Sequence, residues 1–137
     1  MPFGPYDRLN EIWTEYQQQN ISIVVVLVES QEYLVRAGRD LPVFYQRANI
    51  EVIHFPIPDF QVPGDLKAFR DAIYLVDMRA QNGMNIAVHC MAGVGRTGLF
   101  LACLAKHHLK INGQEAIEWV RKLIPDALEN VFQEEFV

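Results

Sequence analysis

The sequence predicts a single α/β domain: a central, mostly parallel β-sheet flanked by α-helices on both faces. Three observations carry that prediction. Three apolar runs with strand character, 21–28, 52–55 and 85–89, are separated by segments with helical periodicity. The first, Ile21 to Val28, is β-branched and nearly continuous instead of alternating, as a strand buried on both faces requires. At 137 residues, 50% of them hydrophobic and 21% charged, the chain suits one core and one domain spanning residues 1–137. Strands that alternate with helices imply parallel pairing through helical crossovers.

Each element has its own signal. Leu9, Ile12, Trp13 and Tyr16 recur at helical spacing and predict an amphipathic helix over 6–19. After the first strand, 31–38 and 42–47 read as short helices, with Pro42 at a helix-starting position where its missing N–H costs nothing. The second strand, Val52 to Phe55, ends at Pro56-Ile57-Pro58-Asp59. Leu66, Phe69, Ile73 and Val76 predict a helix over 65–81, preceded by Gly64-Asp65 and closed by Asn82-Gly83. Residues 85–89 form the third strand. Helices over 97–109 and 113–123 follow, separated at Asn112-Gly113, the second stopped by Pro125.

Charge and composition exclude several classes. Twelve Lys and Arg against seventeen Asp and Glu leave a net charge of −5, which disfavours nucleic acid and anionic membrane surfaces as partners. The longest apolar run is too short to cross a bilayer, and Met1 to Arg8 lacks the pattern of a secretory signal. Two cysteines make no disulfide framework, and a reactive thiol works best in a reducing compartment. The expectation is a cytoplasmic monomer.

The chemistry concentrates in His89-Cys90-Met91-Ala92-Gly93-Val94-Gly95-Arg96-Thr97-Gly98. A glycine-containing loop between a strand and a helix start points successive backbone N–H groups into one concavity, where the helix dipole also favours negative charge. The amides of Met91, Ala92, Gly93, Val94, Gly95 and Arg96 would line it. Arg96 adds a planar, permanently charged fork matched to two phosphoryl oxygens. Cys90 lies at the floor of this cradle, which favours its thiolate over that of a free thiol. An ionised sulfur in an oxyanion cradle is suited to attack on phosphorus.

The same residues contain a literal G-x-G-x-x-G, the dinucleotide fingerprint. No further strand follows to complete a βαβ unit, and Glu115 and Glu118 fall in a helical pattern, not at a strand end. The loop also ends in Arg-Thr instead of the Lys-Ser/Thr of an NTPase P-loop. A nucleotide cofactor is not expected.

In open parallel sheets functional groups collect at the carboxyl ends of the strands, which nominates Glu29, Asp59 and Cys90. Asp59, on a proline-bracketed loop, is the candidate general acid for the departing oxygen; its alternative is turn chemistry. Glu29 either tunes Arg96 or caps the next helix, and the cap is favoured. Glu129 is a secondary acid/base candidate. Arg36, Arg39 and Arg47 read as a solvated face before a pocket rim. His54 reads as a packing residue, and His107-His108 as favourable charge at a helix end. Cys103 lies roughly 12 Å along its helix from the loop, at 1.5 Å per residue, too far for a disulfide to Cys90.

The string H-C-x-x-G-x-x-R-T, the upstream Pro56-Ile57-Pro58-Asp59-Phe60 and the downstream Glu129-Asn130-Val131-Phe132-Gln133 resemble the small dual-specificity members of the cysteine-dependent protein tyrosine phosphatases. The likeness is to the compact microbial and kinase-associated-phosphatase-like branch and covers nearly the whole chain. Low-molecular-weight phosphatases place their acid after the cysteine loop, whereas Asp59 precedes Cys90. The phosphotyrosine-clamping segment of the longer tyrosine-specific domains is not found. The resemblance implies that Cys90 forms a phosphocysteine, Arg96 and the loop amides hold the equatorial oxygens, and Asp59 is acid and then base. It further implies that Thr97 offers its hydroxyl to the sulfur, His89 orients the cysteine, Gln133 positions the hydrolytic water, and no metal or cofactor is needed. Phosphorylated proteins are the implied partners. The short β segment that precedes the first helix in relatives is missing, and Ile124-Pro125-Asp126 and Asn130 depart from their pattern around Gln133. The leading reading is hydrolysis of phosphotyrosine, with phosphoserine and phosphothreonine beside it. The alternatives are a phosphoinositide, small-molecule or RNA 5′-end phosphatase and a phosphate-binding module without turnover.

Overall fold

The computed structural model describes all residues 1–137. The order of elements is α1 (Glu11–Gln18), β1 (Ile23–Val26), α2 (Ser30–Arg36), α3 (Leu41–Arg47), β2 (Glu51–His54), α4 (Leu66–Gln81), β3 (Ile86–His89), α5 (Gly95–Leu109), α6 (Gly113–Arg121) and α7 (Val131–Phe136). The three strands form one wholly parallel sheet in the order β2-β1-β3, with Val26 beside His54 on one flank and His89 on the other. The chain leaves the central strand in one direction through α2 and α3, then returns past it through α4. Right-handed crossovers in opposite directions put their helices on opposite faces.

The aromatic packing shows the two layers. Trp13 of α1 meets Phe44 of α3 with ring centroids 4.7 Å apart, and Phe69 of α4 meets Phe100 of α5 at 5.7 Å and Phe136 of α7 at 5.5 Å. The residues from Ile23 to Val28 between these layers are fully buried, which is why that run is apolar at every position. A second apolar cluster joins Leu99, Ala102 and Ala105 of α5 to Ala116, Ile117 and Val120 of α6. Helix α5 is therefore enclosed on two sides, and its N-terminus, which opens the cysteine loop, is held rigidly.

Two elements differ from the sequence reading. The first helix begins at Glu11, not residue 6, because Asn10 adopts a left-handed conformation (φ 55°) and the Asp7 carboxylate turns the preceding chain. Asp7 Oδ2 accepts from the Phe3 amide at 2.8 Å and Oδ1 from that of Ile12 at 3.3 Å, while Leu9 faces solvent. Helix α7, with Asn130 as its cap accepting from the Gln133 amide, is too short for periodicity to announce. No helix is long and apolar enough to cross a membrane.

Candidate active site

The site lies at the carboxyl ends of β1 and β3, where the order of connections reverses about the central strand. Strand β3 ends at His89, and residues 90–94 turn into α5. Gly93 makes that turn with φ +86°, a left-handed conformation that a side chain would strain. Its amide donates to Cys90 Sγ at 3.3 Å. The amides of Met91, Ala92, Val94, Gly95 and Arg96 have no partner within the protein. A run of unpartnered donors at a helix N-terminus, around a sulfur, is an anion-binding nest.

Arg96 is 1% exposed, and its fork is held on three sides. Nη1 donates to Glu32 Oε2 at 2.7 Å and to the Ile57 carbonyl at 3.1 Å. Nη2 donates to Glu32 Oε1 at 2.9 Å and lies 3.1 Å from Asp59 Oδ1. The Asp59 carboxylate also accepts from the Phe60 amide at 3.2 Å. Burial alone would raise the Glu32 carboxyl; hydrogen bonds from Arg96 and the Glu29 amide, with the Arg96 charge, outweigh it and hold the group below the usual carboxylate range. Burial works against the guanidinium's charge, but Glu32, Cys90 and Asp59 together raise its affinity for the proton. Asp59 and Cys90, far apart in sequence, thus flank one fixed cation.

Glu32 is the residue of the candidate site that the sequence reading missed. Its Oε2 also accepts from the Glu29 amide at 2.9 Å, closing the first turn of α2. One carboxylate therefore both caps a helix and anchors the Arg96 fork. Glu29 takes the helix-capping position expected of it. The available signal was Glu29-x-x-Glu32 directly after a buried strand, a spacing that puts the second carboxylate back over the strand end.

His89 is enclosed and neutral. Its Nδ1 lies 3.2 Å from the Cys90 carbonyl and Nε2 lies 3.0 Å from the Tyr45 hydroxyl. A carbonyl only accepts, so Nδ1 carries the proton and Tyr45 donates to Nε2. Burial pushes the imidazole down to about 3, so it is not poised as a base for the sulfur. It braces the backbone of Cys90 instead.

The remaining candidates are placed as follows. Thr97 is 4% exposed and its hydroxyl has no hydrogen-bond partner, so the anticipated bond to the sulfur is not made here. The Glu129 carboxylate stands against the loop: a Cβ on Gly95 would lie 1.8 Å from its Oε2. Gln133 is fully buried, with Oε1 accepting from the Glu129 amide at 2.9 Å and Nε2 donating to the Gln61 carbonyl at 3.4 Å. It bonds neither Cys90 nor Asp59 but ties the Glu129 loop to the one that carries Asp59. Arg36 lines the cleft beside Asp59 and Met91, while Arg39 lies 3.8 Å over the Phe3 ring. His54 bonds the Val28 carbonyl at 2.9 Å. His107 and His108 both reach one carboxylate, Asp77 of α4, at 3.3 and 2.6 Å, an interhelical contact beyond the helix-end role expected. Cys103 is a free cysteine whose thiol burial pushes up to about 12.

A cysteine in an amide nest, an anchored arginine and a carboxylate on the neighbouring strand end define a phosphatase of the dual-specificity and protein tyrosine phosphatase superfamily. The comparisons with known proteins agree. The chain belongs to the Tc-R-P family, described as "Polymorphic toxin system, DSP-PTPase phosphatase", whose profile matches residues 4–109. It is 33% identical over 89 residues to mouse (Mus musculus) protein tyrosine phosphatase domain-containing protein 1, covering 65% of this chain and 12% of that protein. It is 44% identical over 43 residues to human (Homo sapiens) dual specificity protein phosphatase CDC14A, 31% of this chain and 7% of that protein. The chain thus spans only a small fraction of the length of these relatives. Among solved structures it resembles Tk-PTP in its active form, with a TM-score of 0.79, 29% identity, and coverage of 91% and 81% of the two chains. The fold is shared with kinase associated phosphatase, TM-score 0.87 at 21% identity, covering 99% and 79%.

Proposed function

We propose that the protein hydrolyses phosphotyrosyl side chains of proteins, and phosphoseryl and phosphothreonyl ones beside them, through a phosphocysteine. The observation that carries this reading is the shared guanidinium: Arg96 Nη2 holds Asp59 at 3.1 Å while its loop presents the sulfur and the free amides. A phosphoryl group over Cys90 takes the amides of Met91 to Arg96 and the open edge of the fork. Its oxygen competes with the Asp59 carboxylate for Nη2, and the displaced carboxyl lies beside the departing oxygen. Attack by the thiolate then breaks the P–O bond in line as Asp59, in its acid form, gives its proton to that oxygen. The amides and guanidinium bind the equatorial oxygens more tightly as charge develops. As carboxylate, Asp59 next takes a proton from water attacking the phosphocysteine, which releases phosphate and restores the thiolate. In this reading it works as a monomer in a reducing, cytoplasmic compartment, where the Cys90 thiol escapes oxidation.

The test is a panel of phosphopeptides, phosphoinositides, nucleotides and 5′-phosphorylated RNA compared by kcat/KM, run on wild type, Cys90→Ser and Asp59→Asn. Cys90→Ser should abolish turnover but keep phosphate binding. Asp59→Asn should slow phosphotyrosyl peptides far more than activated aryl phosphates, because only poor leaving groups need the proton. Equal losses on both substrates would remove Asp59 as the acid. A preference for a non-protein substrate would replace the phosphoprotein reading.

A further inference from the structure

We propose that Tyr6 is a substrate-binding residue whose ring packs against the aryl group of the phosphate ester, so that the site selects phosphotyrosine over alkyl phosphates. The inference rests on the phosphatase reading above and adds the element that discriminates between leaving groups. A general acid must come within about 2.6–3.2 Å of the oxygen it protonates. The group attached to that oxygen must therefore leave the loop alongside Asp59. One cleft, of about 490 Å³, contains Asp59 together with Met91 of the amide nest and Glu32 behind the guanidinium. Its other walls are Pro5, Tyr6, Glu29 and Arg36. Tyr6 is the only aromatic among them.

Tyr6 is 67% exposed, its hydroxyl has no hydrogen-bond partner, and its ring stacks on no other ring. A single exposed ring elsewhere on a surface needs no explanation. This ring lines the cleft that holds Asp59, on a backbone that is firmly fixed. Asp7, 6% exposed, holds the amides of Phe3 and Ile12. Phe3 packs edge-on against Phe44 at 5.3 Å with the Arg39 guanidinium 3.8 Å over its face. The segment on either side of Tyr6 is thus pinned while the side chain stays free. A ring presented this way loses little freedom on binding, which is how aromatic anchors contribute affinity.

An aromatic pair of this kind is worth about three- to tenfold in affinity. The experiment measures, in the Cys90→Ser protein, Kd for a phosphotyrosyl peptide and for inorganic phosphate by calorimetry, with Tyr6 intact, Tyr6→Ala or Tyr6→Phe. Tyr6→Ala should raise the ratio of peptide Kd to phosphate Kd by about three- to tenfold, and Tyr6→Phe should restore it. A ratio unmoved by Tyr6→Ala, whether because neither ligand or both weaken, overturns the inference. Failure of the parent reading looks different. There the Tyr6-intact protein binds phosphate with no added affinity for the peptide, and the wild type does not turn the peptide over.

Discussion

His89 couples the integrity of the cysteine loop to pH. In the folded protein burial holds its imidazole down to about 3, against about 6.5 in the unfolded chain. Below 6.5 the unfolded state binds a proton that the folded state refuses, so the contribution is complete above that value and is lost as pH falls toward 3. Between pH 7 and pH 5 this linkage removes about 2 kcal/mol of stability, and to pH 4 about 3 kcal/mol. The pH 7 to 5 window lies above the ordinary range of carboxylates, which keeps their titration largely out of the comparison. Urea unfolding at pH 7 and 5 measures it directly, with His89→Asn as the reference that lacks the titrating group. Wild type should lose about 2 kcal/mol more than His89→Asn over the same step. Equal losses in the two proteins would show that the buried imidazole accepts its proton in place, and the neutral assignment with Nδ1–H bonded to the Cys90 carbonyl would be wrong.

Three further outcomes test other parts of the structure. Glu32→Gln leaves the buried Arg96 fork with half its anchor and should cost about 2 kcal/mol in urea unfolding, with a raised KM for phosphopeptides; an unchanged KM would separate Glu32 from the site. Gly98→Ala puts a Cβ 2.8 Å from that of Ala127 and 3.0 Å from the Leu128 amide, forcing α5 from the following segment; a loss of about 1–3 kcal/mol should follow, and full stability would refute the close packing. Peroxide should inactivate the enzyme through Cys90 while Cys103, its thiol pushed up to about 12, stays reduced, a difference mass spectrometry of the two peptides reads directly.

The sheet, the crossovers and the cysteine loop were legible because each is written locally. A β-branched run such as Ile23 to Val28 is apolar at every position because both of its faces are covered. The spacing of Cys90, Gly93 and Arg96 is likewise a property of one turn and the helix that follows it. Asp59 could be reached by one more step, since parallel strands bring their carboxyl ends to a common edge. Where periodicity was the only guide it misled: Leu9 fits the stripe of α1 but lies in solvent, because Asp7 turns the chain before the helix begins. Helix α7 escaped notice for the opposite reason, being too short to show a period.

By itself, then, the sequence determined the α/β class and the cysteine loop, and nominated Cys90, Arg96 and Asp59 as the residues of one site. Tertiary structure alone decided what holds them. Glu32 meets Arg96 across 64 positions, Tyr45 meets His89 across 44, and Gln133 reaches the Asp59 loop across 72. It also brought Tyr6 into the cleft that holds Asp59. The reason is physical: a loop's conformation follows from the residues within it, whereas the partner of a buried charge follows from which surfaces the packed helices and sheet bring together.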